Sequence, residues 1–119
     1  MISDIQVVNV PVSDQDVAYR FYVDTLGLRV VADQEGGPHG RWLQVAAKSG
    51  TTTLALTGAG DQAGSVSGLV FTSDDIDADV AALRQRGVEF PSGIQDMPWA
   101  RAAQFADPDG NQLVLQTAT

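Results

Sequence analysis

An internal repeat constrains this chain more than any other feature. Ile5 to Val12 is rich in Val and Ile, is interrupted only by Asn9 and Pro11, and reads as a strand followed by the helix-capping pair Ser13 and Asp14. Beyond the middle of the chain the order begins again, with a strand expected at Gly68 to Thr72 and a cap at Ser73-Asp74-Asp75. Asp75 follows Asp14 by 75 − 14 = 61 positions and Gly87 follows Gly27 by 87 − 27 = 60, so two strand-helix-strand units repeat with one residue of slip. Val17, Ala18, Phe21, Tyr22 and Leu26 fall at helical spacing and predict a helix from about Asp14 to Leu26. Ile76, Val80 and Leu83 form the apolar stripe of a second helix running to about Arg86, and Gly27 and Gly87 are placed to end the two.

The remaining strands fill out both units. Leu28 to Ala32, Arg41 to Ala47 and Thr52 to Thr57 are expected in the first, with Gln34 to Gly40 as a Gly-rich loop and Gly58 to Ser65 as a small, polar linker. Val88 to Phe90, Ala100 to Asp107 and Asn111 to Thr117 are expected in the second. Phe105 to Gln116 is the strongest local signal: apolar residues flank Asp107-Pro108-Asp109-Gly110-Asn111, which reads as strand, tight turn, strand. The outgoing strand alternates Gln112, Val114 and Gln116 on one face with Leu113, Leu115 and Thr117 on the other. Each half therefore reads β-α-β-β-β, with units of about 1–58 and 65–119 in a single domain. One helix covers only one face of a four-stranded sheet, so the other face must be covered or used. The expected fold class is α+β, two βαβββ units forming a curved sheet with a cleft lined by inward-facing strand residues.

Charge and composition narrow the partners. A formal net charge of −8 disfavours nucleic acid and anionic membranes, whose phosphates it repels, and suits a neutral or cationic small molecule. The absence of cysteine removes disulfides, thiolate metal sites and thiol nucleophiles. No apolar run approaches the roughly 18 residues of a membrane span, and a basic, apolar leader is not seen, so the expected location is cytoplasmic.

Candidate site residues follow from their types. Trp42 and Trp99 are the only tryptophans, one in each half, and suit platforms for an aromatic or cationic ligand; core packing is the plain alternative. Arg41 and Arg101 flank them, as edge charges or as guanidiniums beside a bound ring. Gln44, Gln104 and Asn9 are neutral polar groups on strands, suited to orienting a ligand. His39, the only histidine, lies in the Gly-rich loop and reads as an exposed residue, and Asp33, Glu89 and Asp96 read as isolated solvated carboxylates. No nucleophile-and-base pair is evident.

These residues carry a family resemblance. Val12-Ser13-Asp14 followed by Ala18, Phe21-Tyr22 and Leu26-Gly27, then Arg41-Trp42-Leu43, Pro98-Trp99, and Phe105 with Asp107-Pro108-Asp109-Gly110-Asn111, resembles the glyoxalase, bleomycin-resistance and ring-cleaving dioxygenase superfamily, the vicinal oxygen chelate proteins. Metal-dependent members place His, Gln or Glu on inward-facing strand positions of both units. By that resemblance the first-strand histidine falls on Val7, its counterpart in the second unit on Gly68, and the last-strand glutamate on Val114, none of which can donate to a metal ion. The resemblance therefore implies no cofactor and no metal site, a homodimer, and metal-independent binding of an aromatic or cationic small molecule, with drug sequestration as its form. The alternatives are a lyase, isomerase or dioxygenase of the same superfamily with non-standard or absent metal ligands, and an accessory protein without a ligand.

Overall fold

A computed structural model describes residues 1–37, 40–58 and 60–118. The fold is α+β, built from two compact units, Met1–Ser65 and Val66–Thr119. The first holds β1 (Val7–Val12), α1 (Gln15–Tyr19), β2 (Arg29–Gly37), β3 (Gly40–Ala46) and β4 (Thr53–Gly58); the second holds β5 (Leu69–Ser73), α2 (Ile76–Gln85), β6 (Ile94–Asp96), β7 (Arg101–Ala106) and β8 (Gln112–Thr117). Each makes an open four-stranded sheet, ordered β1-β4-β3-β2 in one and β5-β8-β7-β6 in the other. β1 runs parallel to β4 and β5 parallel to β8, while the other pairs are antiparallel. The repeat read from the sequence is thus a repeat of topology.

In the first unit, the Asp14 carboxylate accepts from the backbone N–H groups of Asp16 and Val17, satisfying donors that a helix start leaves unpaired. The helix expected to run to Leu26 is α-helical only to Tyr19 and continues from Arg20 to Thr25 as a π-helix, in which Leu26 N–H reaches the Phe21 carbonyl. The wider turn still buries Ala18 and Tyr22. They pack with Val10, Val12, Leu43, Val45, Leu54 and Leu56, the alternate residues that share the helix-covered face of the sheet. Gln15 ties the helix start to that sheet: its Nε2 donates to the carbonyls of Arg41 and Leu56, and its Oε1 accepts from the Arg41 N–H. Gly40 beside it has a φ of 88°, the left-handed region that favours glycine, and a Cβ there would also stand 2.7 Å from Gln15 Oε1 and displace that amide. The expected loop at Gln34 to Gly40 is corrected here, because β2 stays paired with β3 through two register shifts as far as Gly37 opposite Gly40. Pro38 and His39 lie outside the described residues. The expected linker at Gly58 to Ser65 contains a short 3-10 turn at Gly60–Gln62.

In the second unit, Asp75 caps α2 by accepting from the Ala78 N–H, and Ile76, Val80 and Leu83 are buried as their spacing predicts. Phe105 meets the rings of both Phe90 and Phe71, at centroid distances of 5.3 and 6.5 Å. The strand expected at Val88 to Phe90 does not form. Val88 and Phe90 are buried, but Gly93 N–H closes a turn onto the Phe90 carbonyl, and β6 begins only at Ile94. Burial supplied the apolar signal there, and the following Pro91 and Gly93 ended the segment before a ladder was made.

The closing turn is a buried polar cage. Asp107 Oδ1 accepts from the N–H groups of Asp109 and Asn111, and its Oδ2 accepts from Asn111 Nδ2. Asn111 Oδ1 in turn accepts from Val66 N–H, binding the turn to the entry of the unit. Asn111 is fully buried and Asp107 nearly so. Such groups are tolerated inside a protein only when bonded, so the chemistry of Asp-Pro-Asp-Gly-Asn is spent on satisfying itself. Gly110 adopts a φ of 88°, the left-handed region this turn needs.

Candidate functional site

Strand register sorts the candidate residues onto two faces. In the first sheet Asn9 pairs with Ala55 and Ala55 with Gln44, while Gln34 pairs with Trp42, so Asn9, Ala55, Gln44 and Trp42 all lie on the face away from α1. In the second sheet Val70 pairs with Val114 and Val114 with Gln104, which places these three on the face away from α2. Trp99 is not on a strand: it precedes β7 and is 65% exposed.

Trp42 is 36% exposed and is held by a directed polar chain. Its Nε1 donates to Gln44 Oε1 at 2.9 Å, Gln44 Nε2 donates to Thr53 Oγ1 at 2.8 Å, and Thr53 Oγ1 donates to the Gln6 carbonyl at 2.8 Å. Gln104 occupies the equivalent of Gln44 in the second sheet but is exposed and makes no such bond among the described residues.

The arginines are placed elsewhere. Alternation puts Arg41 and Arg101 on the helix-covered faces, each next to a tryptophan or its strand in sequence but pointing away from the open face. Arg41 Nη1 donates to Asp16 Oδ1 at 2.6 Å, and its guanidinium lies 5.8 Å from the Tyr19 ring centroid. Arg41 Nε lies 3.1 Å from Asp33 Oδ1, an ion pair by distance, yet its N–H is not aimed at that oxygen and is buried without a hydrogen bond. Arg101 grips Asp77 with Nη1 and Nη2 and donates from Nε to Asp96 Oδ1. The bond to Asp16 raises Arg41 above its ordinary pKa. The bonds to Asp77 and then Asp96 raise Arg101, and Arg101 holds Asp77 below the usual carboxylate range. Both guanidiniums are committed to carboxylates of their own unit. Of the isolated carboxylates in the sequence, Asp33 and Asp96 are explained as these partners.

The positions that metal-dependent relatives use do not fit a metal ion here. Val7 and Val114 carry half-buried isopropyl groups, and Gly68 has no side chain and no atom within 4 Å of where a Cβ would stand. Among the described residues no three His, Asp or Glu side chains converge on a point. A divalent cation needs several such donors at about 2 Å. The open face of the first sheet instead offers the indole of Trp42, the amides of Gln44 and Asn9, the hydroxyl of Thr53 and the isopropyl group of Val7. The Trp42-to-Gln6 chain was missed in sequence reasoning, although Trp42 and Gln44 at i and i+2 on a strand signal a shared face.

Comparison with known proteins places the chain in a family. The chain is 48% identical to TnmS3, an antibiotic binding protein from Streptomyces sp. CB03234, over 99% of this chain and 98% of that one, with a TM-score of 0.91. It is 46% identical to a glyoxalase/bleomycin resistance protein from the same organism, over 96% and 100% of the two chains, with a TM-score of 0.85. It is 34% identical to the uncharacterized protein YetH of Bacillus subtilis (strain 168), covering 98% of this chain and 99% of YetH. The profile of the Glyoxalase/Bleomycin resistance protein/Dioxygenase superfamily matches residues 4–115. This chain therefore belongs to the glyoxalase/bleomycin resistance protein/dioxygenase superfamily.

Proposed function

We propose that the protein binds a planar aromatic or cationic small molecule without a metal ion, and that it protects its host by sequestering a compound of antibiotic type. The observation that carries this reading is the Trp42 indole on the open face of the first sheet, with Gln44 and Asn9 on the same face and no metal-donor set at the family positions. Similarity to an antibiotic binding protein over nearly the whole chain supports it. The net charge of −8 favours approach of a cation at distances up to about 10 Å in physiological salt. Trp99 and Gln104 are exposed in the second unit and are candidate ligand contacts of that unit by itself; Arg41 and Arg101 hold the fold rather than the ligand. A homodimer acting in the cytoplasm completes the reading, since open sheet edges favour a twofold partner.

The test is a thermal-shift screen of planar aromatic antibiotics and cations on wild type and Trp42→Ala. At least one compound is expected to raise the wild-type Tm, and Trp42→Ala to weaken its binding about thirtyfold, or roughly 2 kcal/mol. A panel with no shift, or equal binding by the variant, overturns the proposal. Elemental analysis of protein purified without chelator is expected to find well under one equivalent of Ni, Zn, Fe or Mn. Light scattering that gives the mass of a single 12.5 kDa chain at micromolar concentration rejects the dimer.

A further inference from the structure

We infer that Thr53 and Gln44 are positioning residues that lock the Trp42 ring in one orientation before any ligand arrives, and that the indole consequently takes its ligand by the ring face rather than by its N–H. This deepens the binding reading above and rests on it for the ligand.

The polarity of the chain is fixed from both ends. An indole N–H can only donate, so Gln44 must turn its Oε1 toward Trp42 and its NH2 toward Thr53. At the other end the Gln6 carbonyl can only accept, so the Thr53 hydroxyl must give its hydrogen there and receive from Gln44. Reversing any link leaves two donors or two acceptors facing each other, and only one arrangement satisfies all four groups. Thr53 is 7% exposed and Gln44 is half-buried, which shields two of the three bonds from competing water. The terminal anchor is backbone, since Gln6 also accepts from the Thr53 N–H across the β1–β4 pairing. With Nε1 occupied, the polar atom of the indole is unavailable to a ligand, and its π-face is what remains. A ring already held pays no rotamer entropy on binding, which favours rigid, flat ligands.

The experiment uses a Trp99→Phe background, so that Trp42 is the sole tryptophan. Time-resolved fluorescence anisotropy of the ligand-free protein is expected to show little sub-nanosecond motion. Thr53→Val, which keeps volume and leaves the Gln6 carbonyl its bond from the backbone N–H, is expected at least to double the amplitude of that fast component; Thr53→Ser is expected to restore the low value. Gln44→Met breaks the chain at its middle with little change in size and is expected to loosen the ring equally, which keeps the test open should Thr53→Val fold poorly. Titration with proflavine, a flat aromatic cation, is done with Trp99 restored in parent and variants alike, and is expected to show three- to tenfold weaker binding in both loosened variants. Unchanged fast motion in folded Thr53→Val and Gln44→Met overturns the inference. Failure of proflavine to bind the parent while the ring still loosens supports the positioning role and counts against the binding reading instead.

Discussion

The two units share a skeleton and differ on the surface that the skeleton presents. Arg41 and Arg101 stand 101 − 41 = 60 positions apart, and each reaches from its third strand to an aspartate in the first turn of its helix, Asp16 or Asp77, and to a second on the neighbouring strand, Asp33 or Asp96. Gln44 and Gln104 are likewise 104 − 44 = 60 positions apart and both face away from the helix. Around them the likeness ends. The position of Trp42 holds Ala102 in the second unit, and the position of Thr53, paired with Ala46, holds Gln112, paired with Ala106, whose amide turns back to the Gly110 carbonyl. One glutamine is the middle of a polar chain and the other is exposed, with no such bond among the described residues. Residues that fix the helix to the sheet are thus repeated, while Trp42 and Thr53, which belong to the proposed site, are not, as expected when a site is grafted on a fold that does not require it.

The sharpest way to separate the units is through the turn that only the second possesses. Asp107→Ala removes the acceptor for Asp109 N–H, Asn111 N–H and Asn111 Nδ2 inside the protein. A loss of about 3 kcal/mol or more is expected in urea denaturation, with near-complete unfolding of a marginal protein. The glutamines come next: Gln44→Ala is expected to cost about 1 kcal/mol and to free Trp42, whereas Gln104→Ala is expected to stay within about 0.5 kcal/mol of wild type. Equal costs would erase the distinction between a held and an unheld amide. The arginines give a smaller contrast. The Arg41 side chain is 20% exposed and that of Arg101 is 42% exposed, so Arg41→Ala is expected to lower the Tm more than Arg101→Ala, although Arg101 makes more hydrogen bonds. The reverse order would show that bond number outweighs burial.

The smallest effect is a pH dependence in the second unit. Arg101 lowers the pKa of Asp77 below its ordinary 3.8, so the folded state binds that proton less readily than the unfolded chain. The contribution is complete above pH 3.8 and fades as pH falls through the lower folded-state value. Arg101→Gln is therefore expected to lie below wild type by a constant margin at neutral pH, the gap narrowing only under pH 3.8. A gap that widens in acid would reverse the assignment. Screening at such an exposed pair keeps the margin small.

Most of the skeleton was legible because repetition and punctuation speak twice. Asp14 and Asp75 both cap, and the stripe of Ile76, Val80 and Leu83 is buried. Local rules failed where apolar residues are buried without pairing, as at Val88 and Phe90, and where a ladder persists through Gly-rich sequence, as in β2. The site was legible in its residue types and not in its directions. Arg41 and Trp42 are neighbours in sequence, yet the two-residue period of a strand sends one toward Asp16 and the other toward the open face. A hydrogen-bond chain that spans β3, β4 and the residue before β1 depends on register, which no local pattern encodes.

The strand orders also set a timetable for synthesis. In each sheet the strand made last lies inside rather than at an edge, β4 between β1 and β3 and β8 between β5 and β7. A growing chain therefore holds β1 beside a vacant lane until Thr53 to Gly58 emerges, and holds β5 and β7 apart until Gln112 to Thr117 arrives. All four strands of the first sheet exist once Gly58 has been made, whereas the second sheet lacks an inner strand until Thr117 has been made.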